Sequence, residues 1–176
     1  GELTAVNNKE NSPEKNIAIL EEIAGKYAIG RDIHVGDTII GIKGRVGFEA
    51  AAAVITIKAH HLLEKHTLSK WQLQHKDYVA GWYGTHLHEG QYLDPVMRDF
   101  EAFLQSSQNQ VSGKVFVTLY PYRFVLDGIE SENDLMNSGF GKYGEENNAW
   151  TAEDAKGFIK ILANPGKIAQ HVKRNQ

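Results

Sequence analysis

The chain has 176 residues, long enough to bury about two-thirds of the surface its unfolded form would expose, so one domain with a real core is expected. Apolar residues at 41% and charged residues at 23% exclude a charge-rich disordered segment, and a net charge of -3 supplies no basic field for nucleic acid or an anionic membrane. With no cysteine there is no disulfide framework, thiolate metal site or thiol nucleophile, and no apolar run reaches the ~18 residues that suggest a membrane span. The expected location is cytoplasmic.

The opening stretch 1–13 is polar and starts at Gly1 in place of Met, so residues 1–12 are expected to be a leader or tag remnant, 13–165 the folded domain and 166–176 a tail. Ser12-Pro13-Glu14 is a helix-start signal, because Pro suits the first helical position and a carboxylate suits the positive end of the helix dipole. Ile17, Leu20, Ile23, Ala24 and Tyr27 then recur on one face, which predicts a helix over 13–28, with Gly30 as a left-handed stop. From Asp32 the period changes, and β-branched residues interrupted by Gly36 and Gly44 predict a strand over 38–44 followed by a loop at 45–48.

The alanine-rich run 49–66 is too long for a typical strand and predicts a buried helix. A second helix is expected over 68–88, with Trp71 and Trp82 eleven residues apart on one buried stripe, and a third from Asp94-Pro95, with Val96, Phe100, Phe103 and Leu104 facing inward. Val115, Val117 and Leu119 alternate with Lys114, Phe116 and Thr118, and Phe124 and Leu126 repeat the pattern after Tyr120-Pro121-Tyr122, which predicts a β-hairpin. Residues 128–149 show no periodicity and are expected to be loop. Thr151 with Asp154 resembles a capping box opening a helix over 152–163, which Pro165-Gly166 is expected to stop. Helices and strands segregate, so the fold class is α+β, helices packed with a small antiparallel sheet.

No glycine-rich loop of the kind that cradles phosphate is present; "GIKGRVG" (41–47) lacks the Lys-Ser/Thr pair and reads first as turn glycines. His60 and Glu64 stand four apart, and His86-x-His88 offers further nitrogens, but His61 to His66 is a five-residue gap and misses zincin spacing. A metal hydrolase on His60, Glu64 and His86 is therefore the weakest reading, and no metal is expected. Ser69, Ser106, Ser112 and Ser138 lie in no nucleophile elbow. Arg45 and Glu49 flank the strand-to-helix junction, where an Arg can grip a carboxylate bidentately and a loop salt bridge is the plainer alternative.

Four runs then form a pattern: "GRDIHVGDTIIGIKGRVGFEAAAA" (30–53), "AHHLLEKHTL" (59–68), "SGKVFVTLY" (112–120) and "DAKGFIKI" (154–161). In this order they resemble the C-terminal half of argininosuccinate synthases. The resemblance implies a two-domain ligase that joins citrulline to aspartate through a citrullyl-adenylate, releasing AMP and pyrophosphate. It implies that ATP and Mg are bound by an N-terminal half that this chain lacks, that this part holds no catalytic residue and is inactive alone, and that the enzyme is a homotetramer contacting its own N-terminal domain. Lys43, Arg45 and Glu49 match the pattern. Gly36 stands where a family Glu contacts citrulline, and Phe48 where a Tyr does; Asp37 is adjacent to the lost carboxylate, but on the other face of an extended strand. The expected substrate-binding set is thus Gly36, Asp37, Lys43, Arg45, Phe48 and Glu49. Losing the carboxylate favours an N-acylated citrulline, with Asp37 or His34 as alternative contacts for a free amine. A different class of reading is a non-catalytic oligomerisation or small-molecule-binding module of the same fold.

Overall fold

A computed structural model describes residues 2–137, 139 and 149–174. The chain divides into two compact units, the first ending at Leu135 and the second beginning at Met136. Helices and two-stranded antiparallel sheets make up the first, so the α+β class holds.

β1 (Ala5–Val6) and β2 (Lys9–Glu10) pair across Asn7 and Asn8, whose φ values of 53° and 60° are the left-handed pair that a tight hairpin turn requires and that Asn tolerates. α1 (Pro13–Gly25) starts on Pro13 as expected. Its buried face carries Asn16 and Ala24, with Leu20 packed on the core, while Ile17 and Tyr27 turn to solvent. The Asn16 amide donates to Leu3 O at 3.0 Å and Asn11 O at 3.2 Å. That fully buried side chain fastens the first residues to α1, so the stretch expected to be a leader is built into the unit.

Past α1 the backbone turns through Gly30, φ 77°, where an added Cβ would come within 2.6 Å of the Ala50 carbonyl carbon. Glycine is required at this crossing. From it rises a hairpin of β3 (Arg31–Asp37) and β4 (Lys43–Glu49), registered from Arg31↔Glu49 to Asp37↔Lys43 and closed at its root by Ala50 N–H to Gly30 O, 3.0 Å. The strand expected over 38–44 holds only at Lys43 and Gly44, and the loop expected over 45–48 is overturned: Thr38 to Ile42 is the turn, and Arg45 to Phe48 lie inside β4. Thr38 closes the turn by side chain and backbone, its Oγ1 donating to Ile42 O at 2.7 Å and accepting from Ile42 N at 3.1 Å, and Gly41 supplies φ 77°. These bonds outweigh the strand preference of Ile39, Ile40 and Ile42, which are left exposed.

α2 (Ala51–Thr67), α3 (Lys70–His88) and α4 (Val96–Gln108) follow as expected. Ser69 and Gln72 form a full capping box for α3. Trp71 and Trp82 do share a stripe, but it is outward, 61% and 48% exposed; Leu73, Lys76, Val79 and Tyr83 line the inner side. In α4 the buried anchor is Met97, and Phe103 stays partly exposed. β5 (Lys114–Tyr120) and β6 (Arg123–Glu130) form the expected hairpin, with a bulge at Phe116/Val117. Val117, Leu119 and Phe124 pack against Ala24, Ile29, Ala51 and Ile55, and Val115 and Ile129 against Leu63, Leu68 and Val111. Tyr122 at the turn, φ 64°, donates its N–H to Tyr27 O at 2.7 Å. Of the expected loop 128–149, residues 128–130 belong to β6 and Leu135–Asn137 form a 3-10 turn; Ser138 and 140–148 lie outside the described residues.

In the second unit Thr151 caps α5 (Ala152–Leu162), with the Asp154 carboxylate accepting from Thr151 N at 2.9 Å. Pro165 does not end the chain's helical structure. α6 (Asn164–Arg174) begins at once, with Pro165 in its first turn, where a missing N–H costs nothing, so the stretch expected to be a tail is helical.

Candidate functional site

Alternation along β3 and β4 sorts the expected site residues onto two faces, since cross-strand partners point the same way. The register puts Asp37, Lys43, Arg45 and Glu49 on one face, with Arg31, Ile33 and Val35. Gly36 and Phe48 lie on the other, with Asp32, His34, Gly44 and Val46. Asp37 is thus turned away from the Gly36 side, as one residue of offset demands, and it pairs with Lys43 at 2.6 Å. Glu49 pairs with Arg31 at 2.8 Å. Both pairs are more than half exposed, so they contribute little to stability and leave the charges open to a ligand. Arg45 makes no ion pair among the described residues.

The Gly36 face differs in character. A Cβ built on Gly36 would stand 2.5 Å from His34 Nε2 and 3.4 Å from His34 Cδ2 and Cε1. The imidazole of His34 lies over the glycine and occupies the space a side chain there would take. Near the hairpin root, Arg31, Asp32, Ile33, Gly47, Phe48 and Glu49 surround an open surface depression. The sequence points to His34 only as an alternative amine contact; its i, i+2 spacing to Gly36 is the signal that the two share a face, because strand neighbours two apart do so.

A phosphate would seek the start of α2, at the junction after β4, but Ala52 N already donates to the Glu21 carboxylate at 2.8 Å, and Ala50 offers no side-chain cap. Glu21 holds that helix N-terminus against an anion.

The histidine cluster resolves into a charge network. Glu64, with no exposed surface, accepts from Lys76 Nζ at 2.7 Å and Gln108 Nε2 at 2.8 Å, and lies 3.3 Å from His61 Nδ1 and 3.7 Å from His60 Nδ1. His60 Nε2 meets Gln108 Oε1 at 2.8 Å. Burial alone would raise the Glu64 carboxyl, but the Lys76 and Gln108 hydrogen bonds and the His60 and Lys76 charges outweigh it and hold the group below its ordinary value. Burial pushes the His60 imidazole down against the pull of Glu64. The three residues close enough to share a cation are His61, Glu64 and Asp77, rather than His60, Glu64 and His86. Lys76, 3.5 Å from Asp77 as well, puts its ammonium among them. His86 instead sits beside Trp82 O at 2.9 Å, with its ring edge-on to Phe100.

Comparison with known proteins bears on this hairpin-bearing architecture as a whole. A family model described as Arginosuccinate synthase C-terminal domain matches residues 1–169. The chain is similar to argininosuccinate synthases of Xanthomonas campestris pv. campestris, 34% identical over 99% of this chain and 43% of that protein, and of Dehalococcoides mccartyi strain 195, 36% identical over 93% and 40%. The argininosuccinate synthase of Pyrococcus furiosus is 35% identical over 87% of this chain and 37% of that protein. The chain therefore spans about two-fifths of the length of these relatives. With a match that runs from the first hairpin into α6, the chain belongs to the argininosuccinate synthase C-terminal domain family.

Proposed function

We propose that this domain is the substrate-lining and assembly part of a longer ATP-dependent ligase that condenses the ureido group of citrulline, or of an N-acylated citrulline, with aspartate, releasing AMP and pyrophosphate, in arginine biosynthesis. The observation that carries the reading is the β3–β4 hairpin, which extends an ion-bearing face with Lys43, Arg45 and Glu49 and a contrasting face with Gly36 and Phe48. Lys43 and Arg45 are suited to carboxylate groups, Arg45 by a planar fork that can bind bidentately. Phe48 offers an apolar wall without a hydroxyl, and Gly36 offers no carboxylate for an ammonium. A neutral amide on the α-nitrogen suits that second face better than a free amine, because a charge removed from water without a partner is costly.

In this reading ATP and Mg bind outside the domain, in keeping with Glu21 at the start of α2, and adenylation takes place against residues that the domain does not supply. Tetramer formation would cover the outward aromatic stripe Trp71, Tyr78 and Trp82. The test is acceptor-dependent AMP release by the longer enzyme, with ATP, Mg and aspartate and either citrulline or N-acetylcitrulline. AMP release is expected with the longer enzyme and none from the domain alone; AMP release by the domain itself would refute the division of labour.

A further inference from the structure

Resting on that reading of the hairpin as an acceptor wall, we infer that His34 is the residue that selects the group carried on the acceptor's α-nitrogen. The argument starts from Gly36. An L side chain at position 36 would start 2.5 Å from His34 Nε2, so with glycine there the imidazole takes that space and with any other residue the ring would have to swing aside. The polar atom presented at that point is an imidazole nitrogen.

The other ionisable groups nearby do not take its place. Asp32 shares the face but is four residues along the same strand from Gly36, roughly 13 Å at ordinary strand rise, and its Oδ1 accepts from Ile33 N at 2.7 Å. Asp37 is on the opposite face, paired with Lys43. Among the described residues an ammonium near Gly36 therefore meets no counter-charge on its own face, whereas an amide finds in imidazole a partner for either its carbonyl or its N–H, according to tautomer. His34 thus favours an N-acyl acceptor, and Gly36 leaves it the space beside the strand.

The experiment uses the full-length enzyme that carries this domain, with kcat/KM measured for citrulline and N-acetylcitrulline in the unaltered enzyme and in His34→Ala and His34→Glu. The unaltered enzyme is expected to prefer N-acetylcitrulline. His34→Ala should lower kcat/KM for N-acetylcitrulline by about tenfold while leaving citrulline within about twofold, the scale of one hydrogen bond. His34→Glu supplies a counter-charge and should move the selectivity ratio toward citrulline by at least about tenfold, mainly through KM, with the KM for aspartate unchanged. The last readout separates acceptor recognition from a general loss of structure. Preference for N-acetylcitrulline with both variants changing the two acceptors by equal factors would overturn the role of His34 and leave the acyl reading standing. Preference of the unaltered enzyme for free citrulline would overturn both.

Discussion

Replacing Lys76 with Met keeps most of the side chain's length and removes its charge, leaving the Glu64 carboxylate fully buried with Gln108 and the nearby His61 as its remaining close partners. Breaking a buried pair by deleting one partner costs about 3–5 kcal/mol. The lower end applies here because the Gln108 bond at 2.8 Å persists and His61 stays 3.3 Å away. A loss of about 3 kcal/mol corresponds to a fall in Tm of roughly 6–12 °C for a chain of this size. The pH dependence gives the sign. In the unaltered protein Glu64 is held below its ordinary value, so its contribution is complete above the ordinary carboxylate range and is lost as pH falls through the lowered value. Without Lys76 burial dominates and raises the carboxyl, so Lys76→Met should be worst near neutrality and recover relative to the unaltered protein as pH falls toward 4. Urea unfolding followed by tryptophan fluorescence at pH 7 and pH 4 measures both effects. A deficit below about 0.5 kcal/mol at pH 7, or one that widens in acid, would refute the network's account.

Gly30→Ala forces a left-handed backbone on a residue with a Cβ and sets that Cβ 2.6 Å from Ala50, so stability should fall by at least about 2 kcal/mol, read as a lower urea midpoint. Thr151→Ala removes the hydroxyl that accepts from Asp154 N at 3.3 Å and should cost α5 about 1 kcal/mol, visible as faster amide hydrogen exchange in residues 152–156 and unchanged exchange in α2. Because the Lys76 ammonium stands between Glu64 and Asp77, chelation with EDTA should leave Tm unchanged and elemental analysis should find no stoichiometric zinc.

Local signals carried most of the helices. Pro13, the alanine run and the Thr151–Asp154 spacing each act within a few residues, and the structure begins α1, α2 and α5 close to where they point. The β3–β4 hairpin was hidden because its most strand-like residues, Ile39, Ile40 and Ile42, occupy the turn, while glycines at 36, 44 and 47 sit inside the strands and read as breaks. Period alone put Trp71 and Trp82 on one stripe of α3 but could not tell inside from outside, which depends on what α3 packs against. The Glu64 network joins residues 12 and 44 positions away in sequence, a distance over which no local pattern operates. For the candidate hairpin, the opposite facing of Gly36 and Asp37 followed from strand alternation, but the cross-strand pairing that groups Lys43, Arg45 and Glu49 with Asp37, and Phe48 with Gly36, did not, since β4 was assumed to be loop from 45 on. The helix over 152–163 does end before Pro165, at Leu162, but the same proline stands in the first turn of α6, which the tail expected after it did not foresee.

The most direct test of the proposed ligase is mass spectrometry of products formed by the full-length enzyme from ATP, Mg, 15N-aspartate and an acceptor. The account predicts AMP with one equivalent of a product that retains the 15N in a new carbon–nitrogen bond, formed from N-acetylcitrulline or citrulline. Absence of any 15N-containing condensation product with both acceptors would contradict it.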